Sequence, residues 1–327
     1  MSERWKRPFP LVICAMSAPF VAPMIGNLQS VDIAYLRAHP EHLPTFLTHQ
    51  RIRETPVHGG SIASASRLTL DDGNSVFTKT WPEGSQAPDG YFAAEAAGLR
   101  WLAEVEQGAD TPEVIVAMPN LIALEWIDES TPTPASARRF GAALARTHAA
   151  GADRFGAPWP GFIGSLPLDN TPSDGPWSAW FGARRLRPYL HMSVSRGAVG
   201  DDDAARIEDL IKNLGRYAGP ADLEPPARLH GDLWPGNVMW TGETAVMIDP
   251  AAHGGHRESD IAQMHLFGGV PYLDEVIAGY QDEHPLTDGW RERLPLHQLH
   301  LLLVHTALFG GSYRDALMSA VSATVGV

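Results

Sequence analysis

A change in hydrophobic pattern near residue 131 divides the chain into two parts. Upstream of it, short runs of apolar and β-branched residues alternate with turn formers, which predicts strands. Downstream of it, apolar residues recur at helical spacing over long segments. The prolines of "TPTP" (131–134) keep a helix from crossing this boundary. Strands and helices separated in this way predict an α+β fold with two lobes, 28–130 and 131–327.

The first lobe is expected to be a small antiparallel sheet with one main helix. "RLTL" and "VFTKTW" flank Asp72-Gly73, a turn signal that predicts a β-hairpin. "YFAAEAAGLRWLAEV" (91–105) has helical spacing, and "SVDIAYLRAH", which begins at Ser30, also suits a helix. Three further strands are predicted, at "RIRETPV", "EVIVAM" and "LIALEWI".

The second lobe is expected to be mostly helical. Helices are predicted for "ASARRFGAALARTHAA", "PWSAWFGARRLRPYL" and "DAARIEDLIKNLGRYA", and for most of the chain after Ser259. Two short strands, "VMW" (238–240) and "AVMI" (245–248), interrupt the helices. Because only a short turn at "TGE" separates them, we expect them to pair as a hairpin.

Composition excludes several classes of protein. The 327 residues are 44% apolar, as expected of a globular protein. The formal net charge of −13 argues against nucleic acid as the main partner, because phosphate binding needs a basic face. The apolar run 301–304 is far too short to span a membrane. The single cysteine, Cys14, excludes an internal disulfide and suggests a reducing, cytoplasmic location.

Residues 1–27 do not fit either lobe. Basic residues precede "PFPLVICAMSAPFVAPMIG", an order that resembles a signal peptide. However, four prolines interrupt the apolar run, and no clear small-x-small cleavage site follows it. We expect either a disordered extension or a start codon placed too early, with Met16 or Met24 as the alternatives. Secretion is the competing interpretation.

The segment "RLHGDLWPGNVMW" (228–240) carries the strongest chemical signal. Asp232 and Asn237 are separated by four residues, and Asp249 follows a short strand twelve residues after Asn237. Phosphoryl transfer needs a carboxylate that takes the proton of the attacking hydroxyl, and oxygen ligands that hold Mg²⁺. Protein kinases use the same Asp-x-x-x-x-Asn spacing in their catalytic loop. We therefore predict Asp232 as the base and Asn237 and Asp249 as metal ligands. The alternative is a turn loop capped by Asp and Asn.

The first lobe supplies a candidate anchor for ATP. Lys79 lies on the predicted strand that follows the hairpin turn, and Glu95 lies on the next helix. An ion pair between them would hold the lysine against the α- and β-phosphates. The alternative is that both are solvated surface charges, which is the commoner fate of Lys and Glu.

Two further parts of the nucleotide site are predicted from their position in the chain alone. "GGSIAS" would cover the phosphates with Gly59, Gly60 and Ser61, although it is not a Gly-x-Gly-x-x-Gly sequence. "LEWID" (124–128) would form the adenine-binding hinge through Glu125 and Ile127.

Three departures separate this pattern from a protein kinase. Gly231 stands where protein kinases have the arginine that serves a phosphorylated activation loop. Asp249 lies in "IDPAAHGG" instead of Asp-Phe-Gly, and no Ala-Pro-Glu follows. A small-molecule kinase whose site is always assembled fits these features better.

The sequence resembles the fructosamine kinase (ketosamine-3-kinase) family from about residue 50 to 315. The resemblance rests on "LHGDLWPGNVMW", "IDPAAHGGHRESDIAQMHLFGG", "RERLPLHQLHLLLVHTALFGGSY" and the upstream order "GGSIASASRLTLDDGNSVFTK…EAAGLRWL". The Trp after the catalytic Asp, the Asp-Pro-Ala and the Gly-His-Arg-Glu-x-Asp-x-Ala distinguish this family from its aminoglycoside phosphotransferase and choline kinase relatives.

The resemblance implies a two-lobed protein-kinase-like fold and a reaction. The reaction is ATP-dependent phosphorylation of the 3-hydroxyl of ketosamines, the sugars that glycation attaches to amines, including the lysines of glycated proteins. Bacterial-looking members favour ribulosamines and erythrulosamines. The family roles match those predicted above for Asp232, Asn237, Asp249 and the Lys79–Glu95 pair. Ser61 stands where members often carry Cys or Asp, which puts redox control through the glycine loop in doubt.

The remaining polar and aromatic residues have two interpretations each. Trp234 either stacks on the sugar or fills the loop. Glu258 and Asp260 either cap a helix N-terminus or support the catalytic loop, and capping is the preferred interpretation for Glu258. The histidines lack a zinc-like pattern of ligands, so no structural metal site is expected.

Two other functions compete with ketosamine kinase. One is a kinase of the same fold for an aminoglycoside, choline or a sugar alcohol, against which the Asp-Pro-Ala sequence and Trp234 argue. The other is a nucleotide-binding pseudokinase that acts as a scaffold. The full set of Lys79, Asp232, Asn237 and Asp249 argues against it, because a scaffold has no need of the base.

Overall fold

The computed structural model describes most of the chain. The described residues are 35, 37–39, 53–57, 63–70, 73–82 and 84–326. The predicted extension 1–27 lies outside them. Of the predicted helix that begins near Ser30, Tyr35 and the pair 37–38 are described, and they are helical.

The described part of the first lobe contains one five-stranded antiparallel sheet and a thirteen-residue helix. The elements are β1 (Arg53–Pro56), β2 (Ser64–Thr69), β3 (Ser75–Thr80), α1 (Tyr91–Ala103), β4 (Val114–Met118) and β5 (Leu121–Glu125). The strand order is β1-β2-β3-β5-β4, and α1 packs against one face of the sheet. The predicted antiparallel sheet with one main helix is confirmed.

The register of the sheet directs Lys79 toward α1. Lys79 of β3 lies directly opposite Ile122 of β5. Ile122 is fully buried in the same apolar cluster as Leu99 of α1. Because directly opposed residues of an antiparallel pair share one face, Lys79 also faces the helix that carries Glu95.

The described second lobe is mostly helical, as predicted. Its α-helices are α2 (Pro134–Ala149), α3 (Trp177–Phe181), α4 (Arg187–Ser195), α5 (Asp201–Lys212), α6 (Leu214–Ala218), α7 (Glu258–Gln263), α8 (Leu273–Glu283), α9 (Trp290–Phe309) and α10 (Arg314–Val325). None of the helices in the described part of the chain is both long and apolar enough to cross a bilayer.

The "TPTP" segment starts the first helix of this lobe. Thr133 caps α2, because its hydroxyl accepts the Ser136 backbone N–H at 3.0 Å while the Ser136 hydroxyl bonds the Thr133 backbone N–H at 2.9 Å. Pro134 occupies the first turn, where a missing N–H costs nothing. The change from strands to helices near residue 131 is therefore explained by the residues that cap α2.

Two glycines let α2 and α8 approach backbone to backbone. A Cβ on Gly141 would lie 1.9 Å from the carbonyl oxygen of Val276, and one on Gly279 would lie 2.0 Å from that of Arg138. Any side chain at either position would force the helices apart. Their close contact brings the C-terminal end of α2 against α8, a pairing on which the site below depends.

Short strands in the second lobe were only partly predicted. They are β6 (Gly161–Ile163), β7 (Leu166–Leu168), β8 (Ala227–Leu229), β9 (Val238–Trp240), β10 (Ala245–Met247) and β11 (His253–Gly255). The predicted hairpin of β9 and β10 is confirmed, while the β6–β7 and β8–β11 pairs were missed. Strands of three residues are too short to show a period of two, so β9 and β10 were predictable chiefly from the short turn that joins them.

The predicted helix "PWSAWFGARRLRPYL" is not continuous. A π-helical turn, Gly182–Leu186, separates α3 from α4. Pro188 lies in the first turn of α4, where it has no N–H to donate to the preceding turn. The π-turn carries Arg185, whose side chain is almost fully buried.

Candidate active site

The predicted base and metal ligands lie on one loop and the hairpin that follows it. Asp232 lies between β8 and β9, and Asn237 ends the 3₁₀ turn Pro235–Asn237. β9 and β10 pair antiparallel, and the Ile248 N–H then donates to the Asn237 main-chain oxygen at 3.0 Å. Asp249, the residue after Ile248, therefore lies beside this loop, as the predicted β9–β10 hairpin requires.

Asp232 is held by Asn237 and has one oxygen unused. The Asn237 amide Nδ2 donates to the main-chain oxygen of Asp232 at 2.8 Å and to its carboxylate Oδ2 at 3.2 Å. The other oxygen, Oδ1, is buried and has no hydrogen-bond partner among the described residues. Burial, followed by the negative charge of Asp249, raises the pKa of Asp232 well above its usual range. The carboxylate is thus poised to take up a proton.

Lys79 joins the two lobes at this site. Its ammonium group lies 2.9 Å from Glu95 Oε1 and also contacts Asp249 Oδ1. Burial alone would lower the pKa of Lys79, but the carboxylates of Asp249 and Glu95 outweigh it and raise the pKa. The lysine is therefore a fixed positive charge between the sheet and the hairpin. The alternative of a solvated surface charge is wrong for both Lys79 and Glu95, whose side chains are 12% and 10% exposed.

Asp260 supports the catalytic loop with its buried carboxylate. Its carboxylate accepts the backbone N–H groups of His230 at 2.8 Å and Gly231 at 2.9 Å. It also lies 3.1 Å from His148 Nε2, whose Nδ1 is 2.9 Å from the Tyr280 hydroxyl. Burial opposes ionisation of Asp260, but these bonds keep its pKa below the usual range. Of the two interpretations of Asp260, support of the loop is the one that its hydrogen bonds match.

Two more side chains fix the same loop. Gln263 accepts the Leu233 N–H at 2.6 Å and donates to the Gly231 carbonyl at 3.1 Å. His230 Nε2 lies 2.8 Å from the Ile248 carbonyl and therefore donates to it, so its Nδ1 can accept the Asp232 N–H at 3.2 Å. His230 thus links Asp232, the predicted base, to Ile248, the residue before the predicted metal ligand Asp249.

Gly231 cannot be replaced by a larger residue in this loop. Its φ of +83° is a left-handed conformation that favours glycine. A Cβ here would lie 2.3 Å from the Ala251 carbonyl oxygen and 2.9 Å from the His253 ring. An arginine at this position would displace the loop, which gives a steric reason for the departure from protein kinases.

Glu258 is not a helix cap, so that prediction was wrong. No side chain caps α7, and Glu258 is instead fully buried in an ion pair with Arg293, at 2.6 and 2.8 Å. His297 Nε2 lies 3.3 Å from the same carboxylate. The helix dipole is a weaker partner than a bidentate guanidinium, which is why the carboxylate turns into the core.

His256, Glu258 and His297 lie close enough together to suggest metal ligands. However, both His256 nitrogens are engaged, by the Ala221 carbonyl at 2.9 Å and the Glu258 N–H at 3.2 Å. Both Glu258 oxygens are engaged by Arg293. A cation here would have to replace the guanidinium, so this group does not suit a metal site.

Trp234 lies half-buried at the edge of an aromatic cluster. The cluster consists of Trp234, Phe267, His305, Phe309 and Tyr313, with neighbouring ring centroids 4.7 to 6.0 Å apart. Phe267 and Phe309 are 42% and 48% exposed, so part of the cluster faces solvent. Both interpretations of Trp234 remain compatible with this position. The partners of Trp234 were not predicted, because they come from segments far apart in the chain.

The predicted hinge lies at the end of β5. The Glu125 N–H pairs with the Glu113 carbonyl at 2.9 Å, and its side chain is exposed. Ile127 lies past the strand end, and its N–H has no acceptor among the described residues. The predicted phosphate cover of Gly59, Gly60 and Ser61 lies outside the described residues.

Comparisons with known proteins agree with this architecture. The fructosamine kinase family model matches residues 41–325. The probable ketoamine kinase of Thermus thermophilus is 34% identical over 270 residues, covering 82% of this chain and 93% of that protein. The chloroplastic protein-ribulosamine 3-kinase of Arabidopsis thaliana is 32% identical over 273 residues, covering 81% and 80%.

A solved structure is similar over nearly the same span. The crystal structure of a candidate fructosamine-3-kinase from Thermobifida fusca superposes with a TM-score of 0.81 at 45% identity, covering 86% of this chain and 97% of that one. The predicted resemblance and the predicted two-lobed fold are both confirmed. The chain belongs to the fructosamine kinase family and is a kinase with the protein-kinase-like fold.

Proposed function

We propose that the protein is a ketosamine 3-kinase that uses ATP and Mg²⁺. The observation that carries the proposal is the convergence of Lys79, Asp232, Asn237 and Asp249, with one Asp232 oxygen left without a partner. The 3-hydroxyl as acceptor rests on the family resemblance and on the name of the Arabidopsis relative. Its products would be phosphorylated adducts of glycated amines, and the wider role would be repair of glycation in the cytoplasm.

The proposal gives each predicted nucleotide-site residue a role. Lys79, fixed by Glu95, would hold the α- and β-phosphates of ATP, while the backbone of Glu125 and Ile127 would meet the adenine. Gly59, Gly60 and Ser61 would cover the phosphates. The nucleotide would therefore lie between the proposed lobes 28–130 and 131–327.

The donor set suits Mg²⁺. The Nδ2 of Asn237 donates to Asp232, so the Oδ1 of Asn237 is available to a metal. Asp249 has a second carboxylate oxygen besides the one that contacts Lys79. Amide and carboxylate oxygens are the ligands that Mg²⁺ prefers. When bound, the ion would neutralise charge on the transferred phosphate.

Asp232 would take the proton of the substrate hydroxyl. The hydroxyl oxygen would form a bond to the γ-phosphorus, the bond from that phosphorus to the β–γ bridging oxygen would break, and ADP would leave. The hydroxyl proton would pass to Asp232 Oδ1, the atom without a partner. A raised pKa suits this role, because a stronger base takes the proton more readily.

The aromatic cluster supports an acceptor that combines a sugar with a cationic amine. Aromatic faces stack on sugar rings and attract ammonium groups. Trp234 lies two residues from Asp232, so a substrate on the cluster would lie near the base. Phe267 and Phe309 are exposed, so a carrier attached to the amine would be able to extend into solvent.

The proposal is tested by a ³¹P NMR and mass-shift assay with Mg-ATP. Ribulosamine on a small amine, choline and kanamycin are offered separately, and ATP hydrolysis without acceptor is the control. We expect a phosphorylated ribulosamine and little product from the other acceptors. A higher kcat/KM for kanamycin or choline would favour the other small-molecule kinases. Nucleotide binding with no transfer to any acceptor would favour the scaffold.

A further inference from the structure

A small cavity lies behind the catalytic loop, apart from the proposed substrate site. Its volume is about 10 Å³. Gly231, the residue before the proposed base, forms part of its wall. The polar side chains around it are those of Trp177, Trp180, Arg185, His253, His256, Ser259, His297 and His300.

Two side chains on this wall are hydrogen-bond donors without an acceptor. Trp177 Nε1 and Arg185 Nε are both buried, and neither has a partner among the described residues. The two residues are 0% and 1% exposed. Indole and guanidinium nitrogens donate and never accept, so each needs an acceptor atom. Buried donors rarely lack one.

The other groups of Arg185 are satisfied by the protein. Its Nη1 donates to the Asp169 carbonyl at 2.6 Å, and its Nη2 donates to Asn170 Oδ1 at 2.7 Å. The guanidinium also lies 4.3 Å above the centre of the Trp180 ring. Only its Nε therefore lacks a partner among the described residues.

An acceptor nitrogen belongs to the same wall. His253 Nδ1 lies 2.7 Å from the Ala251 carbonyl oxygen, so this nitrogen carries the proton. Burial, together with the charge of Arg185, lowers the pKa of His253 well below its usual range, and the ring stays neutral. Its Nε2 is then an acceptor. His300 Nε2, also on the wall and buried, has no partner among the described residues.

We propose that the cavity holds a single buried water molecule. A volume of about 10 Å³ is the smallest that accommodates one water. Water accepts from Trp177 and Arg185 and can donate to the histidine nitrogens, which matches the mixed polarity of the wall. An anion would be repelled by the lone pair of His253 Nε2, and a metal ion would be repelled by the positive charge of Arg185.

The water would connect three separate elements of the second lobe. Arg185 belongs to the π-turn, His300 to α9, and His253 to β11, the strand that pairs with β8 just before the catalytic loop. The proposal does not depend on which substrate the kinase uses, because no cavity atom belongs to the proposed acceptor site.

A high-resolution crystal structure of the unmodified protein tests the proposal. We expect one peak of electron density within hydrogen-bond distance of both Trp177 Nε1 and Arg185 Nε. Crystals soaked in bromide should show no anomalous peak there. An empty cavity would overturn the proposal, and so would an anomalous bromide peak.

The stability of two variants gives an independent test. If the cavity is dry, His300 Nε2 is an unsatisfied polar atom, and an apolar ring or chain in its place should raise Tm. If water is present, the same change removes one of its hydrogen bonds and lowers Tm. We expect His300→Phe and the smaller His300→Leu both to melt at lower temperature, and a rise in either variant would contradict the proposal.

Discussion

Asn237 uses one amide group to hold both the main chain and the carboxylate of Asp232, at 2.8 and 3.2 Å. The two bonds fix the carboxylate in one orientation, with Oδ2 against the amide and Oδ1 free. A general base must be positioned before its pKa matters. This pair therefore determines which atom can take the proton.

Asp232→Asn should lower kcat by about 100-fold or more, because an amide cannot accept the proton. ATP binding should remain close to that of the parent, since Lys79 and Glu95 are untouched. Turnover with a ribulosamine and ATP affinity by calorimetry give the two quantities. Asp209→Asn, an exposed carboxylate on α5, is the matched control. Near-parental turnover in Asp232→Asn would remove Asp232 from the mechanism.

Activity should fall as the pH is lowered, and the fall should begin at a higher pH than the ordinary pKa of aspartate would give. The base must be ionised to accept a proton, and burial together with Asp249 raises the pKa of Asp232. The acidic limb of kcat/KM against pH therefore reports the raised pKa of the free enzyme. A flat profile down to the ordinary pKa of aspartate would contradict this assignment.

Much of the site was predictable because its residues are close in sequence. The separation of Asp232 from Asn237 and the short β9–β10 hairpin fix where Asp249 lies. The strand–helix order likewise predicted the pairing of Lys79 with Glu95. These relationships need only local geometry.

The parts that were missed depend on packing between distant segments. The Asp260 carboxylate accepts the His230 N–H from 30 residues away, so loop support could be given only as one of two interpretations. Glu258 was assigned to a cap because acidic residues favour the first turn of a helix. Its actual partner, Arg293, lies 35 residues away. The partners of Gln263 lie 30 and 32 residues away, and those of His148 lie 112 and 132 residues away. No local pattern distinguishes such side chains from ordinary surface residues.

Asp260→Asn should lower kcat by about 10- to 100-fold with little change in KM for ATP, because a displaced loop costs that much in rate. Asparagine keeps one acceptor oxygen but loses the second, so either His230 or Gly231 loses its partner. Steady-state kinetics and urea unfolding should be measured together. Asp260→Glu should not restore activity, because the buried carboxylate has no room to lengthen. An unchanged kcat would mean that the loop does not need this support.

Arg293→Met should lower the free energy of unfolding by about 3–5 kcal/mol, because it leaves the buried Glu258 carboxylate without its partner. Burial opposes ionisation of Glu258, but Arg293 and His297 hold its pKa far below the usual range. A lowered folded-state pKa gives stability that is present above the ordinary pKa of Glu and lost as the pH falls below it. The variant should therefore lose less stability on acidification than the parent does. The double variant Glu258→Gln/Arg293→Met should recover part of the loss.

Trp234→Ala should raise KM for a ribulosamine several-fold while leaving KM for ATP nearly unchanged. The ring lies two residues from the base and meets Phe267 edge-on at 5.9 Å, so it can present a face to the sugar or its amine. Tyr272→Ala removes another exposed aromatic ring, outside the cluster, and should leave both constants unchanged. Phe309→Ala should raise KM for the ribulosamine by less than Trp234→Ala does and by more than Tyr272→Ala does, since the Phe309 ring lies at the far edge of the cluster. Equal rises in KM for both substrates would mean that Trp234 supports the loop instead of binding the acceptor, and a Tm well below that of the parent would accompany that outcome.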